Sequence, residues 1–192
     1  MSAVPDPAER LRALLDREAI RECLYRYCRG IDRADEQALR SAYWPDATDR
    51  HGAYDGPASG FIDKALPRLR TGRRVHTIGN VLIELRGDAA AVESQFLAFQ
   101  LERDAAGAPR ETLLCGRYVD RFERRGGEWR VAARTVVYDW IRQTPLPNAL
   151  EPEAFGLRRP TGAPWPGDPV YALLASLEDP SGAPPQPHAT PN

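Results

Sequence analysis

A chain of 192 residues with a formal net charge of −1 has the length of one domain plus an extension, and lacks the positive charge that nucleic acids or anionic membranes attract. No apolar run approaches the ~20 residues that span a bilayer, and residues 1–10 lack a signal peptide's apolar core. Three cysteines at no metal-binding spacing predict reduced thiols. Metal signatures and phosphate-binding loops are absent from the sequence. We therefore expect a cytoplasmic protein that binds neither nucleic acid nor membrane and uses no metal or cofactor.

The first third of the chain shows the three- and four-residue apolar spacing that is typical of helices. One amphipathic helix is predicted over residues 8–33, and Asp35 is expected to cap a second, short helix over Glu36–Tyr43. Residues 44–52 are interpreted as a loop or short strand, and residues 59–69 as a third helix. The long helix is expected to bury one stripe of side chains: Leu11, Leu14, Leu15, Ile20, Cys23, Leu24, Tyr27 and Ile31.

From Arg73 onward the apolar period changes to two, which predicts strands over residues 75–86, 89–103, 111–125 and 128–141. Two of the connections, Arg86-Gly87-Asp88 and Arg125-Gly126-Gly127-Glu128, have the composition of hairpin turns. Helices followed by hairpin-linked strands favour an α+β fold, with the helices on one face of an antiparallel sheet.

The composition changes again beyond residue 142. Twelve of the 18 prolines follow Gln143, so most of this segment is not a regular helix or a central strand. Its apolar residues predict that part of it packs on the domain or on a neighbouring subunit, with a short helix over Asp168–Leu177. Residues from Glu178 onward have a composition typical of disorder. We therefore predict a domain over residues 8–142 and a proline-rich extension over residues 143–192.

Four segments of the chain, in order and at the expected distances, resemble the nuclear-transport-factor-2-like superfamily in its SnoaL-like branch. They are Asp16–Arg21 with Tyr27–Asp32, Tyr43–Ala47, His76–Ile83, and Gly116–Phe122 with Gly127–Arg134. The resemblance covers roughly residues 10–142 and implies a cone, in which a curved, mainly antiparallel sheet wraps around the N-terminal helices and encloses an apolar pocket. The pattern is most similar to the lyases of that branch: scytalone dehydratase, bile-acid 7α-dehydratase, hexachlorocyclohexane dehydrochlorinase and the diarylpropane formaldehyde lyases.

The resemblance implies an Asp-His pair at Asp32 and His76. An aspartate that orients a neutral histidine makes a general base, so the two side chains must meet. The resemblance also implies that Tyr27 and Arg134 line the pocket. Regular helix and strand periodicity would not place either side chain there. Tyr27 lies about 140° around its helix from Asp32, and Arg134 alternates away from the core side of its strand unless a bulge intervenes. The alternatives are a structural histidine, a helix-end aspartate and a core tyrosine.

Further polar side chains are candidates for the pocket. His51 is interpreted as a pocket-mouth residue rather than a metal ligand, and Asn80 as a group that orients a substrate oxygen or binds the backbone. Arg73 or Arg74 rivals Arg134 as the source of positive charge. Three residues are expected to form a solvated strand face: Arg117, Asp120 and Arg121.

Together these features predict a lyase that uses no cofactor and acts on a small hydrophobic, aromatic or polycyclic molecule. His76 would remove a proton, and Tyr27 and Arg134 would assist the departure of water, halide or a fragment such as formaldehyde. Two alternatives stay open: a ketosteroid-isomerase-like isomerase or polyketide cyclase, and a non-catalytic ligand-binding or assembly module. The outer sheet face predicts a homodimer or homotrimer. The expected apolar walls are Trp44, Phe61, Leu66, Phe96, Phe99, Tyr138 and Trp140.

Overall fold

The computed structural model describes residues 6–103, 106–146 and 160–178. Its fold is α+β, as the sequence predicts. The elements in chain order are α1 (Pro7–Arg33), α2 (Glu36–Ser41), β1 (Tyr43–His51), β2 (Tyr54–Pro57), α3 (Ala58–Leu69), β3 (Arg73–Arg86), β4 (Ala89–Arg103), β5 (Pro109–Arg125), β6 (Glu128–Pro145) and α4 (Pro169–Glu178).

The three N-terminal helices and four long strands lie close to their predicted positions. Asp35 caps α2 as predicted, because its side chain accepts a hydrogen bond of 3.0 Å from the backbone of Ala38. Tyr43 begins β1 instead of ending α2, and the segment interpreted as a loop or short strand is a nine-residue strand. The short strand β2, which pairs with β1, was not predicted.

The six strands form one mixed sheet in the order β2-β1-β6-β5-β4-β3. The pair β1–β6 is parallel and the other pairs are antiparallel. Helix α1 packs against both β6 and β3, although β5 and β4 separate these two strands in the sheet. The sheet therefore curves around α1, and it stays open because β2 and β3 are its margins in the described part of the chain. This is the predicted cone.

The core begins at Ile20 of α1 and not at the start of the predicted apolar stripe. Leu11, Leu14 and Leu15 are 57–61% exposed, so the expectation that they are buried is wrong. Contacts with the sheet start at the next residue, Asp16, which accepts hydrogen bonds from the side chains of Trp129 and Arg124. None of the described helices combines the length and apolar character that crossing a bilayer requires.

Three β-bulges decide which side chains face the inside of the cone. The register shifts between Ile78 and Val81 of β3, and twice along β6, at Ala132 and at Asp139. Each shift inserts one extra residue against the partner strand and reverses the alternation of the side chains beyond it. An uninterrupted two-residue period therefore predicts the wrong face for several residues of β3 and β6.

The C-terminal segment over residues 160–178 packs against the end of α1. The backbone N–H of Trp165 donates to the carbonyl of Arg33 at 2.6 Å, and the Arg33 side chain pairs with Asp168 at 3.0 Å. Helix α4 occupies nearly the predicted span. Residues 147–159 and 179–192, including the tail expected to be disordered, lie outside the described residues, and the division of the chain at residue 142 stays a prediction.

Replacing Gly116 by alanine should destabilise the sheet. An added Cβ would lie 2.2 Å from the carbonyl oxygen of Val137 and 2.9 Å from the ring of Phe96. The expected decrease in the free energy of unfolding, measured in urea, is about 1–3 kcal/mol. Gly79→Ala is the control, because its Cβ would meet Gln95 at an ordinary 3.6 Å. Equal stability of the two variants would contradict the close packing at Gly116.

Candidate active site

The side chains of Asp32 and His76 meet where the end of α1 crosses the start of β3. Asp32 Oδ1 lies 2.6 Å from Nδ1 of His76, and Asp32 Oδ2 accepts a 2.9 Å hydrogen bond from the backbone N–H of the same histidine. The side chains are 13% and 7% exposed. One carboxylate thus fixes both the backbone and the ring of His76, which is the contact that the general-base hypothesis requires.

This geometry determines which nitrogen of His76 can act as a base. With an ionised Asp32, Nδ1 carries the proton that is donated to Oδ1. The lone pair then lies on Nε2, at the opposite edge of the ring. Because Asp32 also holds the backbone N–H, the ring has little freedom to turn away from this orientation.

A cavity of about 320 Å³ adjoins this contact. It is bounded by Asp32, by Arg73–Val75 of β3, by Phe99 of β4 and by Gly162–Pro164 of the C-terminal segment. His76 is not one of its lining residues. The volume is at the lower end for small-molecule sites, and the C-terminal segment forms one of its walls.

An aromatic row crosses the concave face of the sheet. The ring of His51 stacks on Phe61 at 4.2 Å and lies 6.3 Å from the ring of Tyr138. The Tyr138 ring is in turn 6.3 Å from that of Phe96, which stacks on Tyr118 at 4.5 Å. Three of the expected apolar walls, Phe61, Phe96 and Tyr138, therefore lie together on this face. Another of the expected wall residues, Leu66, is buried in the core on α3.

Phe99 and Trp140 do not line the inside of the cone, contrary to expectation. Phe99 is three residues from Phe96, so strict alternation places the two rings on opposite faces of β4. Trp140 shares no face with Tyr138, because the bulge at Asp139 lies between them. Both side chains are on the convex face, where they are 42% and 50% exposed.

Trp44 lies at the other end of the sheet. Its indole N–H donates to the carbonyl of Glu123 at 3.0 Å, and the guanidinium groups of Arg125 and Arg130 lie over its ring at 5.1 and 4.8 Å. Trp44 thus belongs to the β5–β6 hairpin end, and its predicted place in the pocket wall is wrong.

Asn80 and Arg74 also differ from expectation. Asn80 lies in the β3 bulge and is exposed, so it does not share the face of His76. Arg74 is 3% exposed and does face inward, but its guanidinium donates to the carbonyls of Leu69 and Arg68. Arg74 therefore caps the end of α3.

Arg134 points into the core, and the bulge at Ala132 is the reason. It is 2% exposed and donates two hydrogen bonds, of 2.8 and 2.7 Å, to the carboxylate of Asp120. Its guanidinium lies 4.1 Å from the ring centroids of both Tyr27 and Tyr118. Burial lowers the pKa of Arg134, but the charge and hydrogen bonds of Asp120, together with the neighbouring Tyr43 and Tyr27, more than offset this effect and hold that pKa well above its usual value.

The prediction that Asp120 lies on a solvated strand face is wrong. Asp120 is 3% exposed, whereas Arg117 and Arg121 pair with the solvent-accessible carboxylates of Asp139 and Glu123. The signal was available in the sequence, because Asp120 alternates with Tyr118 and Phe122, which are plainly core residues. Because these two aromatic neighbours face inward, they predict a buried position for Asp120 despite its charge.

Tyr27 lies in the core beside Arg134. It is 1% exposed, and its ring makes edge contacts with Tyr43 at 5.9 Å and Tyr118 at 5.5 Å. Burial raises its pKa, so it remains a neutral phenol. The position fits the core alternative, and a substrate reaches its hydroxyl only if the surrounding rings move.

A second carboxylate-imidazole contact occurs in β1. Asp49 is fully buried and accepts a 2.6 Å hydrogen bond from the hydroxyl of Tyr43 through Oδ2. Its Oδ1 lies 3.5 Å from Nδ1 of His51. Sequence reasoning selected His51 but gave Asp49 no role.

The chain belongs to the SnoaL-like family. The profile of the SnoaL-like domain matches residues 12–135, and the cone described above is the fold of the nuclear-transport-factor-2-like superfamily. The resemblance seen in the sequence is thereby confirmed. No curated protein matches the chain significantly.

Solved structures with the same fold include three named for enzymes. A type 2 hexachlorocyclohexane dehydrochlorinase (LinA) is 24% identical, with a TM-score of 0.62 over 72% of this chain and 94% of its own. The type 3 enzyme from Novosphingobium barchaimii is also 24% identical, with a TM-score of 0.59 over 72% and 95%. A candidate scytalone dehydratase from Novosphingobium aromaticivorans is 19% identical, with a TM-score of 0.59 over 68% and 88%. These identities establish a shared fold and no more.

The Asp120–Arg134 pair predicts a large cost for removing one partner. Asp120→Ala leaves a fully buried guanidinium uncompensated, so the free energy of unfolding should fall by about 3–5 kcal/mol. Asp139→Ala breaks an ion pair whose side chains are 33% and 45% exposed, and it should cost about 0–1 kcal/mol. Urea unfolding of both variants checks this difference, and similar losses would show that Arg134 does not depend on Asp120.

Proposed function

We propose that this protein is a lyase that uses no cofactor, with His76 as its general base and Asp32 as the group that orients it. The observation that carries this proposal is the double contact of one carboxylate with the ring and the backbone of His76. A structural histidine needs no such double contact. Here one oxygen of a nearly buried carboxylate binds Nδ1 and the other binds the backbone N–H of the same residue, so the ring has a set direction, which is typical of a positioned base.

In the proposed reaction, Nε2 of His76 removes a proton from an activated carbon of the substrate. The electron pair of that C–H bond forms a double bond, and the bond to the leaving group breaks. Asp32 stabilises the imidazolium that results, as an adjacent carboxylate does in other dyads. General-base catalysis contributes roughly 10²–10⁴-fold, and positioning in a dry site supplies the rest.

Tyr27 and Arg134 support the site from the core. Arg134 is already paired with Asp120, so its proposed contribution is a fixed positive field at the inner end of the pocket rather than direct contact with the leaving group. Tyr27 belongs to α1, and its contacts with Arg134 and Tyr118 help to hold the helix end that carries Asp32.

The substrate class follows from the walls. The inner rings Phe61, Phe96 and Tyr138 favour a small hydrophobic molecule with an aromatic or polycyclic skeleton. The names of the structural relatives, a dehydrochlorinase and a dehydratase candidate, give precedents for elimination on this fold. An isomerase would use the same base but would conserve the mass of its substrate.

His76→Ala should abolish general-base chemistry. The probe is 5-nitrobenzisoxazole, an apolar aromatic molecule that eliminates to a coloured cyanophenolate when a base removes its ring proton. We expect kcat/KM to fall by about 10²–10⁴-fold, and Asp32→Asn to cause a large loss through the wrong tautomer. The measurement is absorbance at neutral pH, with circular dichroism to show that the variants fold.

Thr77→Ala is the matched control, because Thr77 is the next residue of β3 and its side chain is exposed. It should leave the rate unchanged. If His76→Ala retained the wild-type rate while a hydrophobic ligand still bound, the chain would be a ligand-binding module on the same fold.

Self-association is proposed for the convex face of the sheet. Leu97, Phe99, Val119 and Trp140 are 42–50% exposed there, and single-chain proteins rarely expose a contiguous apolar patch of several large side chains. We expect a homodimer or homotrimer by light scattering. Trp140→Glu should shift the protein towards the monomer, whereas Leu11→Glu, at an exposed position of α1, should not. A monomeric wild-type protein would refute this assignment.

A further inference from the structure

The C-terminal segment over residues 160–178 has no part in the mechanism above, yet it contacts the end of α1 directly beside Asp32. Its contacts converge on Arg33, the next residue of the helix. The backbone N–H of Trp165 donates to the carbonyl of Arg33 at 2.6 Å, and the carboxylate of Asp168 lies 3.0 Å from Nε of Arg33. The main chain and the side chain of Arg33 are therefore both held by the same segment.

The end of α1 is fixed at two points, one on each side of Asp32. The last carbonyls of a helix have no partner within the helix. Here the carbonyl of Gly30 accepts from the backbone N–H of Asp35 at 3.0 Å, in the turn that leads into α2. The carbonyl of Arg33 accepts from Trp165, in a distant part of the chain. The C-terminal segment thus completes a helix end that the local turn satisfies only in part.

Asp168 is the residue that organises this contact. It is 8% exposed, and its Oδ1 accepts from the backbone N–H of Val170 at 3.1 Å, which makes it the N-cap of α4. Its Oδ2 accepts from the backbone N–H of Ala163 at 3.1 Å and pairs with Arg33. A nearly buried carboxylate is unfavourable unless its charge is compensated. One side chain therefore joins the start of α4, the turn before it and the end of α1.

The anchored segment also borders the cavity beside Asp32. Gly162–Pro164 form one wall of this cavity of about 320 Å³, and Asp32 is part of its boundary. Gly162 approaches Arg33 closely, since an added Cβ would lie 3.3 Å from Nη1 of the arginine. The immediate surroundings of the carboxylate that orients His76 therefore include the segment that Asp168 holds in place.

We propose that Asp168 is a positioning residue for the candidate base, and that it acts through Arg33 on the neighbouring Asp32. The inference rests on the proposed function and makes the reaction depend on the C-terminal segment. Asp32 Oδ1 lies 2.6 Å from Nδ1 of His76, so a shift of the helix end by about 1 Å would lengthen this contact beyond a hydrogen bond. Misplacement by that amount can lower a rate by roughly 10²-fold, even when the substituted residue is far from the chemistry.

The test is Asp168→Asn, which keeps the shape of the side chain and can still cap α4 but cannot form the ion pair with Arg33. With 5-nitrobenzisoxazole, kcat should fall by roughly 10–10²-fold. KM should change by less than about twofold, because binding to the apolar rings of the concave face does not require the Asp32 contact. Urea unfolding of the same variant shows whether it is folded under the assay conditions.

A second measurement needs no turnover. Nitrogen NMR of the imidazole, assigned by comparison with His76→Ala, reports which ring nitrogen carries the proton. In the wild-type protein the proton should lie on Nδ1, held by Asp32. In Asp168→Asn we expect a mixture of the two tautomers, because the carboxylate no longer holds a fixed place beside the ring.

Two further variants complete the test. Arg33→Gln should cause the same losses, and the double variant should lose no more than either single one, because both substitutions remove one contact. Asp55→Asn is the matched control, because it makes the same chemical change in an exposed pair with Arg50 and should alter neither measurement. If Asp168→Asn lowered stability but left kcat or the tautomer unchanged, Asp168 would only secure the C-terminal segment, and the proposal would be overturned.

The two measurements separate this inference from the general-base proposal. If His76→Ala kept the wild-type rate, the base assignment would fail, and the tautomer of His76 in Asp168→Asn would still decide whether Asp168 positions Asp32. A tautomer that shifts would support the positioning role, and one that does not would refute it.

Discussion

The candidate site depends on one carboxylate that joins a helix end to the margin of the sheet. Asp32 can reach both the ring and the backbone of His76 only if α1 ends where it does. Ala34 ends the helix in the left-handed conformation at a φ of 50°, and Leu39 of α2 packs directly against Gly30. A Cβ at Gly30 would lie 2.8 Å from the Leu39 backbone nitrogen, so only glycine lets α2 turn back this closely. The position of Asp32, and through it that of the proposed base His76, is therefore set by backbone packing at Gly30, two residues before the aspartate.

The interior of the cone carries more charge than an ordinary core, and the bulges put it there. The bulge at Ala132 turns Arg134 inward, where Asp120 neutralises it and three tyrosine rings surround it. Isolated buried charges are strongly unfavourable, and a bidentate pair is the arrangement that reduces this cost. Burial also raises the pKa of Cys23 to about 11 and of Cys28 to about 12, so these thiols are neutral neighbours that add no charge. The result is a buried polar cluster beside the aromatic row.

Most of the fold was predictable because its signals are local. Apolar spacing located the helices and long strands, and turn residues located the hairpins. The pairing of Asp32 with His76 is not a local property, since 44 residues separate them, and here the family resemblance supplied what periodicity could not. Two of the errors, at Asn80 and Trp140, have one cause in common. A bulge adds one residue without leaving a mark in the sequence, so Asn80 and Trp140 were assigned to the wrong face, whereas Arg134 was correctly suspected to need one.

Asp120 and Asp49 were overlooked for a different reason. A charged residue in a strand is by default assigned to solvent, yet Asp120 alternates with Tyr118 and Phe122, and Asp49 alternates with the buried Ala47. In each case the burial of the neighbours on the same face predicts the position of the aspartate better than its charge does. The two aspartates differ in what they hold: Asp120 is saturated by Arg134, but Asp49 keeps one oxygen free beside an imidazole. A saturated carboxylate stabilises the core, whereas a carboxylate with an unused oxygen can orient a titratable ring. That distinction, drawn from hydrogen-bond partners rather than from burial, separates the Asp120–Arg134 pair from the Asp49–His51 contact.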